Sequence, residues 1–228
     1  MKVLICATSI EKTMGAYLLQ LKRAGIDVVW GSPESPIGHN GIGWAGKLKW
    51  QRNALSALDP KEQVILSDGW DVLLQGPRKV VEGLIPDEGE IVIAGEKNCW
   101  PDPGLQIHYP MGPTPWMFVN SGLIAGEAGA LLGEIERGYA KGDPKLLEDD
   151  QRLWTWLFLT GEKIFIDYNC RLFQTTLLNI VGTELGICNE TGQLHNQKTR
   201  MIPCFLHCNG GQGWTERELK LMGVALSL

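Results

Sequence analysis

Residues 66–74, LSDGWDVLL, mark the point where an apolar strand ends and two acidic side chains follow. The apolar run starts at Val64, stops before Asp68 and resumes after Asp71. Gly69 stands between the two acids and permits a tight turn. Two carboxylates this close repel each other unless a cation or hydrogen-bond donors compensate. The stretch therefore predicts a site for a hard divalent cation, Mn²⁺ or Mg²⁺, or else a plain solvated turn.

Outward from this stretch, the chain alternates between short apolar strands and amphipathic helices. Strands are predicted at 2–7, 26–30, 63–67, 91–94, 118–125, 164–166 and 202–206, and helices at 11–24, 45–58, 126–138, 149–159 and 216–222. This alternation predicts an α/β fold with one mostly parallel sheet and helices on both faces, as a single domain over residues 1–228. Ligands of such sheets bind beyond the carboxyl ends of the strands, which is where Asp68 and Asp71 fall.

The composition fits one well-filled domain and narrows the possible partners. The chain has 228 residues, 44% of them hydrophobic, and a formal net charge of −5. No run of about 18 apolar residues is present, so no membrane span is expected, and the acidic balance disfavours general affinity for phosphate backbones. The short apolar stretch at the start predicts a first strand rather than a secretion signal. Together with six cysteines, it predicts reduced thiols in a cytoplasm, or in the host cytoplasm if a virus encodes the chain.

Seven segments in a fixed order carry a family resemblance. They are GIGWAGKLKW (41–50), LSDGWD (66–71), EKNCWPDPGLQIHYP (96–110), FVNSGLIAG (118–126), LEDDQRLWTWLFL (147–159), DYNCRLFQ (167–174) and LHCNG (206–210). Together they resemble the glycosyltransferase domain of procollagen lysyl hydroxylases and the related collagen galactosyltransferases, over about residues 2–225. The resemblance implies a GT-A fold, a UDP-sugar donor and Mn²⁺, with Mg²⁺ as an alternative ion.

The metal-binding residues that the resemblance implies are Asp68, Asp71 and His207. The two acids match the two metal carboxylates of the family, and His207 matches the histidine that supplies the third ligand. The strand pattern agrees, because a strand at 202–206 would deliver His207 next to the acids that follow strand 63–67. A lone histidine beside an apolar run would otherwise be a structural residue of the core.

The resemblance also implies residues that face the sugar and the nucleotide. Asp149 and Asp150 precede a helix and suit its N-terminus. By resemblance they face the donor sugar, where Asp150 would stabilise the positive charge that develops on it. Asn120 is grouped with them as a catalytic residue lining the sugar pocket, unless 120–121 is only a strand-end turn. The residues assigned to donor binding are Trp70, Trp100, Lys47, Ser121, Asn209 and Gly210.

Some of these residues have simpler explanations. Trp70 would stack on uracil or ribose, or be a surface aromatic. Trp100 would wall the sugar pocket, or pack against neighbouring prolines. Lys47 would approach the phosphates, or lie on the solvated face of its helix.

The chain departs from the family pattern at three places. Cys208 stands where the family has a glycine, and a backbone with positive φ would be strained there. The GQG at 211–213 replaces a lysine that contacts the diphosphate, and Leu123 replaces the second of two glycines. The CFLHC at 204–208 also suggests zinc, with Cys188 or His195 as a further ligand. Strand alternation disfavours that site, because Cys204 and His207 would point to opposite faces.

The predicted function is Mn²⁺-dependent transfer of a hexose, glucose or galactose, from a UDP-sugar to an acceptor hydroxyl. The resemblance implies retention of configuration, either by same-face attack or through a covalent intermediate. The acceptor would be a glycan, a modified protein or modified DNA. An enzyme acting on hydroxymethylated DNA bases stays open, with a basic patch at Lys47, Lys49, Arg52 and 197–200. A non-catalytic nucleotide-sugar-binding module is the other alternative.

Overall fold

The computed structural model of the chain describes residues 1–10, 12–32, 45–176, 184–188 and 190–209. Strands and helices alternate through most of this length. In chain order they are β1 (Lys2–Cys6), α1 (Lys12–Arg23), β2 (Asp27–Gly31), α2 (Ala45–Ser56), β3 (Gln63–Ser67), β4 (Val72–Leu74), α3 (Arg78–Glu82), β5 (Ile91–Glu96), β6 (Phe118–Glu127), α4 (Ala128–Lys141), α5 (Pro144–Leu147), α6 (Asp150–Thr160), β7 (Ile164–Ile166), β8 (Phe173–Thr175), β9 (Leu185–Ile187), β10 (Leu194–Asn196) and β11 (Phe205–His207). A 3₁₀ helix spans Pro103–His108.

The main sheet has six strands in the order β2-β1-β3-β6-β5-β7. Strands β2, β1 and β3 run parallel, as do β5 and β7. Strand β6 lies between these groups and is antiparallel to both of its neighbours. The α/β class, the mostly parallel sheet and the helices on both faces are confirmed, because five of the six strands run in the same direction and β6 alone is reversed.

Side-chain alternation along the central strands builds a core on each face of the main sheet. Val3, Ile5 and Ile65 point to one face and pack with α1, α3 and the smaller strands. Leu4, Val64 and Leu66 point to the other face and pack with residues of α2, α4 and α6. Successive residues of a strand face opposite sides, so a strand covered on both sides reads as a continuous apolar run.

Three short strands form a second sheet in the order β4-β11-β8. Strand β11 is antiparallel to β4 and parallel to β8. The prediction that 202–206 would complete the main sheet is therefore wrong, and the strand is only Phe205–His207. It pairs instead with β4, which directly follows the two acids, and this small sheet sets the position of His207.

Strand β6 is irregular where it passes the site. Its register against β5 jumps from Ile93 opposite Ile124 to Ala94 opposite Asn120. The residues in between, 121–123, therefore have no partner on β5, although Ser67 of β3 still pairs with Leu123. Such bulges redirect side chains and are frequent next to active sites. Here the bulge lies beside the carboxyl end of β3.

Some predictions fall outside the described residues. These are the helix at 216–222, the first part of GIGWAGKLKW, the donor-binding residue Gly210 and the GQG at 211–213. Within the described part of the chain, none of the helices has the length and apolar character needed to cross a bilayer.

Candidate functional site

Asp68, Asp71 and His207 converge at the carboxyl end of β3. One oxygen of each carboxylate and one ring nitrogen of the histidine all lie within 4.8 Å of one another. His207 Nε2 is 3.6 Å from Asp68 Oδ2 and 3.3 Å from Asp71 Oδ2. Among the residues that the structure describes, this is the one group of this kind that could hold a metal ion. The structure thus brings together the three predicted ligands.

Backbone pairing fixes these three residues relative to one another. The Asp68 N–H donates to the Gly122 carbonyl at 2.8 Å, which ties the acid to β6. The Cys208 N–H donates to the Asp71 carbonyl at 2.9 Å, and His207 pairs with Val72 of β4. The site is therefore the junction of the main sheet and the small sheet.

Gly122 leaves the space that the site needs. A Cβ at this position would lie 2.2 Å from His207 Cε1 and 2.7 Å from Asp68 Oδ2. Distances below about 3 Å force one of the groups to move, and both neighbours belong to the site. A side chain at residue 122 would therefore displace the imidazole or the carboxylate.

The charges around His207 favour its protonated form. Burial alone would lower the pKa of the imidazole, but Asp71, then Asp68 and Glu96, outweigh burial and raise it. The side chain is 2% exposed, whereas Asp68 and Asp71 are half-buried. A cation at this point would compensate the same two carboxylates.

Lys47 joins the acid pair to α6. Its ammonium lies 2.7 Å from Asp68 Oδ1 and 2.6 Å from Asp150 Oδ2, and its side chain is 3% exposed. Burial alone would lower the pKa of this amine, but Asp150 and Asp68 raise it. The solvated-face explanation for Lys47 is wrong, because the side chain points inward to two carboxylates.

Asp149 and Asp150 have different environments at the start of α6. Asp149 is the N-cap, and its side chain accepts from the Arg152 N–H at 3.1 Å. Burial raises the pKa of its carboxyl. Asp150 is 4% exposed and points to Lys47. Capping is confirmed for Asp149, and Asp150 lies at the site through its contact with Lys47.

Asn120 and Ser121 lie on the irregular part of β6. The Ser121 N–H donates to Gln151 Oε1 at 2.7 Å, which ties the bulge to α6. Asn120 Nδ2 donates to Glu96 Oε2 at 2.9 Å, and Asn120 Oδ1 lies 3.1 Å from His207 Nδ1. The Asn120 amide thus contacts a ligand residue of the site, and its catalytic role stays a prediction.

Glu96 is a site residue that the sequence analysis missed. It ends β5, is 7% exposed, and has its pKa raised by burial, partly offset by the Asn120 hydrogen bond. The signal that could have found it is a carboxylate at the end of an apolar strand, the same signal that identified Asp68.

The three remaining predicted donor-binding residues of the described chain lie around this group. The Trp70 indole N–H donates to the Ser9 carbonyl at 2.9 Å. Trp100 is 64% exposed, and its carbonyl accepts from Gln151 Nε2 at 3.3 Å. Asn209 directly follows β11 and Cys208, and its Oδ1 is buried without a hydrogen-bond partner. Their donor-binding roles stay predictions.

The structure bears on two alternatives from the sequence, a basic patch for DNA and a zinc site at 204–208. Lys47 is buried and Arg52 makes two hydrogen bonds to Glu136, at 2.6 Å and 2.9 Å, whereas Lys49, Lys198 and Arg200 are exposed. The predicted basic patch therefore loses Lys47, and its DNA-binding role stays a prediction. Cys204 and Cys208 belong to the hydrophobic core, as expected for structural cysteines.

Strain at Cys208 is not found. The non-glycine residues with positive φ in the described chain are Glu88, Cys170 and Arg200. Cys208 therefore stands in place of glycine without adopting a left-handed backbone.

Comparison with known proteins identifies the family. The family model described as "PLOD GT domain" matches residues 2–221. The chain is 29% identical over 206 residues to Uncharacterized protein R699 of Acanthamoeba polyphaga mimivirus, covering 88% of this chain and 42% of that protein. It is 26% identical over 190 residues to the human Multifunctional procollagen lysine hydroxylase and glycosyltransferase LH3, covering 80% of this chain and 25% of that protein. The chain thus spans less than half of either relative.

A solved structure shares the fold. A glycosyltransferase involved in the glycosylation of the major capsid of PBCV-1 superposes with a TM-score of 0.57 at 12% identity, covering 98% of both chains. At 12% identity the likeness concerns the fold alone. That fold agrees with the α/β architecture described above.

Proposed function

The chain belongs to the PLOD GT domain family, a family of glycosyltransferases, and on that basis we propose that it transfers a hexose, glucose or galactose, from a UDP-sugar to an acceptor hydroxyl. The reaction depends on Mn²⁺, or on Mg²⁺ in its place, and retains the configuration at the transferred carbon. The acceptor hydroxyl belongs to a glycan, a modified protein or modified DNA. Burial of Lys47 weakens the case for DNA, because that cation is not available to a phosphate backbone.

The observation that carries the proposal is the convergence of Asp68, Asp71 and His207. Their ligand atoms lie within 4.8 Å of one another, and His207 Nε2 lies 3.6 Å from Asp68 Oδ2 and 3.3 Å from Asp71 Oδ2, so these three side chains would hold the ion. Two carboxylate oxygens and one imidazole suit Mn²⁺. The half-buried carboxylates leave one side open for a diphosphate, while Gly122 lets the imidazole approach. When bound, the ion supplies positive charge that stabilises the departing UDP.

Other residues of the site bind the nucleotide, bound the space for the donor and stabilise the charge that develops on the sugar. Trp70, held through its indole N–H to Ser9, presents its ring to the uracil or ribose. Asn209, Ser121 and Trp100 bound the space for the donor. Asp150 interacts with the positive charge that grows on the sugar ring as its bond to UDP breaks, which is when a fixed carboxylate stabilises it most.

Hydrolysis of UDP-sugars tests the proposed donor and ion. Purified protein is incubated with UDP-glucose, UDP-galactose and other UDP-sugars, with Mn²⁺, with Mg²⁺ or with chelator, and released UDP is measured. We expect turnover of UDP-glucose or UDP-galactose with Mn²⁺ and loss of turnover in Asp68→Ala. Turnover that is equal with chelator and with Mn²⁺ would contradict the metal role. Binding of UDP-sugar without turnover, with any of a panel of hydroxyl acceptors, would favour the non-catalytic module.

A further inference from the structure

A line of buried hydrogen bonds runs behind His207, on the side away from the acid pair. His207 Nδ1 lies 3.1 Å from Asn120 Oδ1, and Asn120 Nδ2 donates to Glu96 Oε2 at 2.9 Å. The three residues are 2%, 6% and 7% exposed. Because they are buried, these groups must satisfy one another rather than water.

The orientation of the Asn120 amide is determined by two partners other than the histidine. The Gly122 N–H donates to Asn120 Oδ1 at 3.0 Å, so the oxygen must lie on that side. Glu96 Oε2 accepts from Nδ2, so the nitrogen must lie on the opposite side. Rotating the amide by 180° would set N–H against N–H at one end and oxygen against oxygen at the other. Asparagine orientation is assigned from such a network, and here both partners agree.

This orientation decides which ring nitrogen of His207 carries a proton. A carbonyl oxygen only accepts hydrogen bonds, so Nδ1 must donate. Nε2 then faces Asp68 and Asp71 and is the nitrogen available to a metal ion. We propose that Asn120, held in place by Glu96, is a positioning residue that fixes the His207 ring with its proton on Nδ1 and directs Nε2 to the metal. The inference rests on the proposed function, in which His207 is a metal ligand.

The proposal predicts different effects for loss of the Asn120–His207 contact and for changes at the Asn120–Glu96 contact. Replacing Asn120 removes the acceptor that holds the ring, and loss of such a supporting contact typically weakens metal affinity about 10–100-fold. Glu96→Gln retains an oxygen that accepts from Asn120, so the amide keeps its orientation. Glu96→Ala removes that acceptor and frees the amide to rotate.

Metal affinity is the first readout. Free Mn²⁺ is followed by electron paramagnetic resonance during titration at saturating UDP. We expect Asn120→Ala and Glu96→Ala to weaken Mn²⁺ binding, Asn120→Ala by about 10–100-fold, and Glu96→Gln to stay near wild type. Asn196→Ala is the matched control, because Asn196 is an equally buried amide that donates to Gln174 at 2.5 Å and lies in β10, outside the site. Wild-type affinity in folded Asn120→Ala and Glu96→Ala would overturn the proposal.

Nuclear magnetic resonance of ¹⁵N-histidine supplies a readout that needs no metal. The chain has four histidines, so His207 can be assigned with a His207→Ala sample. In metal-free protein, at a pH high enough to leave the imidazole neutral, we expect the ring proton of His207 to be on Nδ1 and to exchange slowly in wild type and fast in Asn120→Ala. An unprotonated Nδ1 in wild type would overturn the proposal. If wild type bound no divalent cation, the proposed metal role would fail, while this spectrum would still decide how Asn120 acts on His207.

Discussion

Replacing Lys47 with methionine should destabilise the protein strongly, since it removes a buried cation from between two carboxylates. Methionine keeps most of the apolar stem and deletes the charge. The ammonium lies 2.6 Å from Asp150 Oδ2, and the two side chains are 3% and 5% exposed. Removing one partner of a buried ion pair costs about 3–5 kcal/mol, because the other charge stays buried without compensation. For a domain of this size, that free energy corresponds to a drop in Tm of roughly 6–20 °C.

The assay is thermal and urea unfolding of wild type, Lys47→Met and two comparison variants. Lys49→Met is the matched control on the exposed face of α2, and we expect its free energy of unfolding to change by less than about 0.5 kcal/mol. Lys47→Met combined with Asp150→Asn removes the stranded charge, so the double variant should be about 1–3 kcal/mol more stable than Lys47→Met alone. Equal stability of wild type and Lys47→Met would refute the argument that Lys47 compensates Asp150.

The remaining predictions concern the close contact at Gly122, the catalytic role of Asp150 and the pH dependence of stability. Gly122→Ala should abolish Mn²⁺-dependent UDP binding, since its Cβ would lie 2.2 Å from a ring carbon of the site histidine; calorimetry that finds normal binding would refute the close contact. Asp150→Asn should leave UDP affinity nearly unchanged and slow UDP-sugar turnover by about two orders of magnitude, with the capping variant Asp149→Asn losing less; wild-type turnover would reduce Asp150 to a structural residue. Glu62 has its pKa lowered by its hydrogen bond from Lys2, so its contribution to stability is present above its unfolded pKa of about 4.3 and is lost as pH falls through the lower folded value. Glu62→Gln should therefore cost at most about 1 kcal/mol at pH 7 and nothing near pH 2, which urea unfolding at both pH values measures.

The strands of the main sheet were predictable because their patterns are local. Residues 63–67 and 164–166 were predicted as strands with the same bounds as β3 and β7, since an apolar run bounded by polar residues is visible in sequence. The reversed direction of β6 leaves no such trace, because its apolar run looks the same in either direction. The second sheet escaped prediction because Val72–Leu74 is too short to show a period.

Part of the site was predictable for similar reasons. Asp68 and Asp71 are carboxylates at the end of an apolar strand, and His207 came from the resemblance. The inward direction of Lys47 could not be predicted, because a lysine on an amphipathic helix is normally solvated. The contact of the Asn120 amide with His207 follows from the register jump in β6, which only the pairing of distant strands reveals.

Calorimetric titration of UDP tests the central claim that Asp68, Asp71 and His207 hold a metal ion that binds the diphosphate. UDP is titrated into the protein with Mn²⁺ and with chelator, and into Asp68→Ala, Asp71→Ala and His207→Ala with Mn²⁺. We expect tight binding only to wild type with Mn²⁺, no metal-dependent binding to either aspartate variant, and weaker binding to His207→Ala with the fold intact. Equal UDP affinity with Mn²⁺ and with chelator would contradict the account.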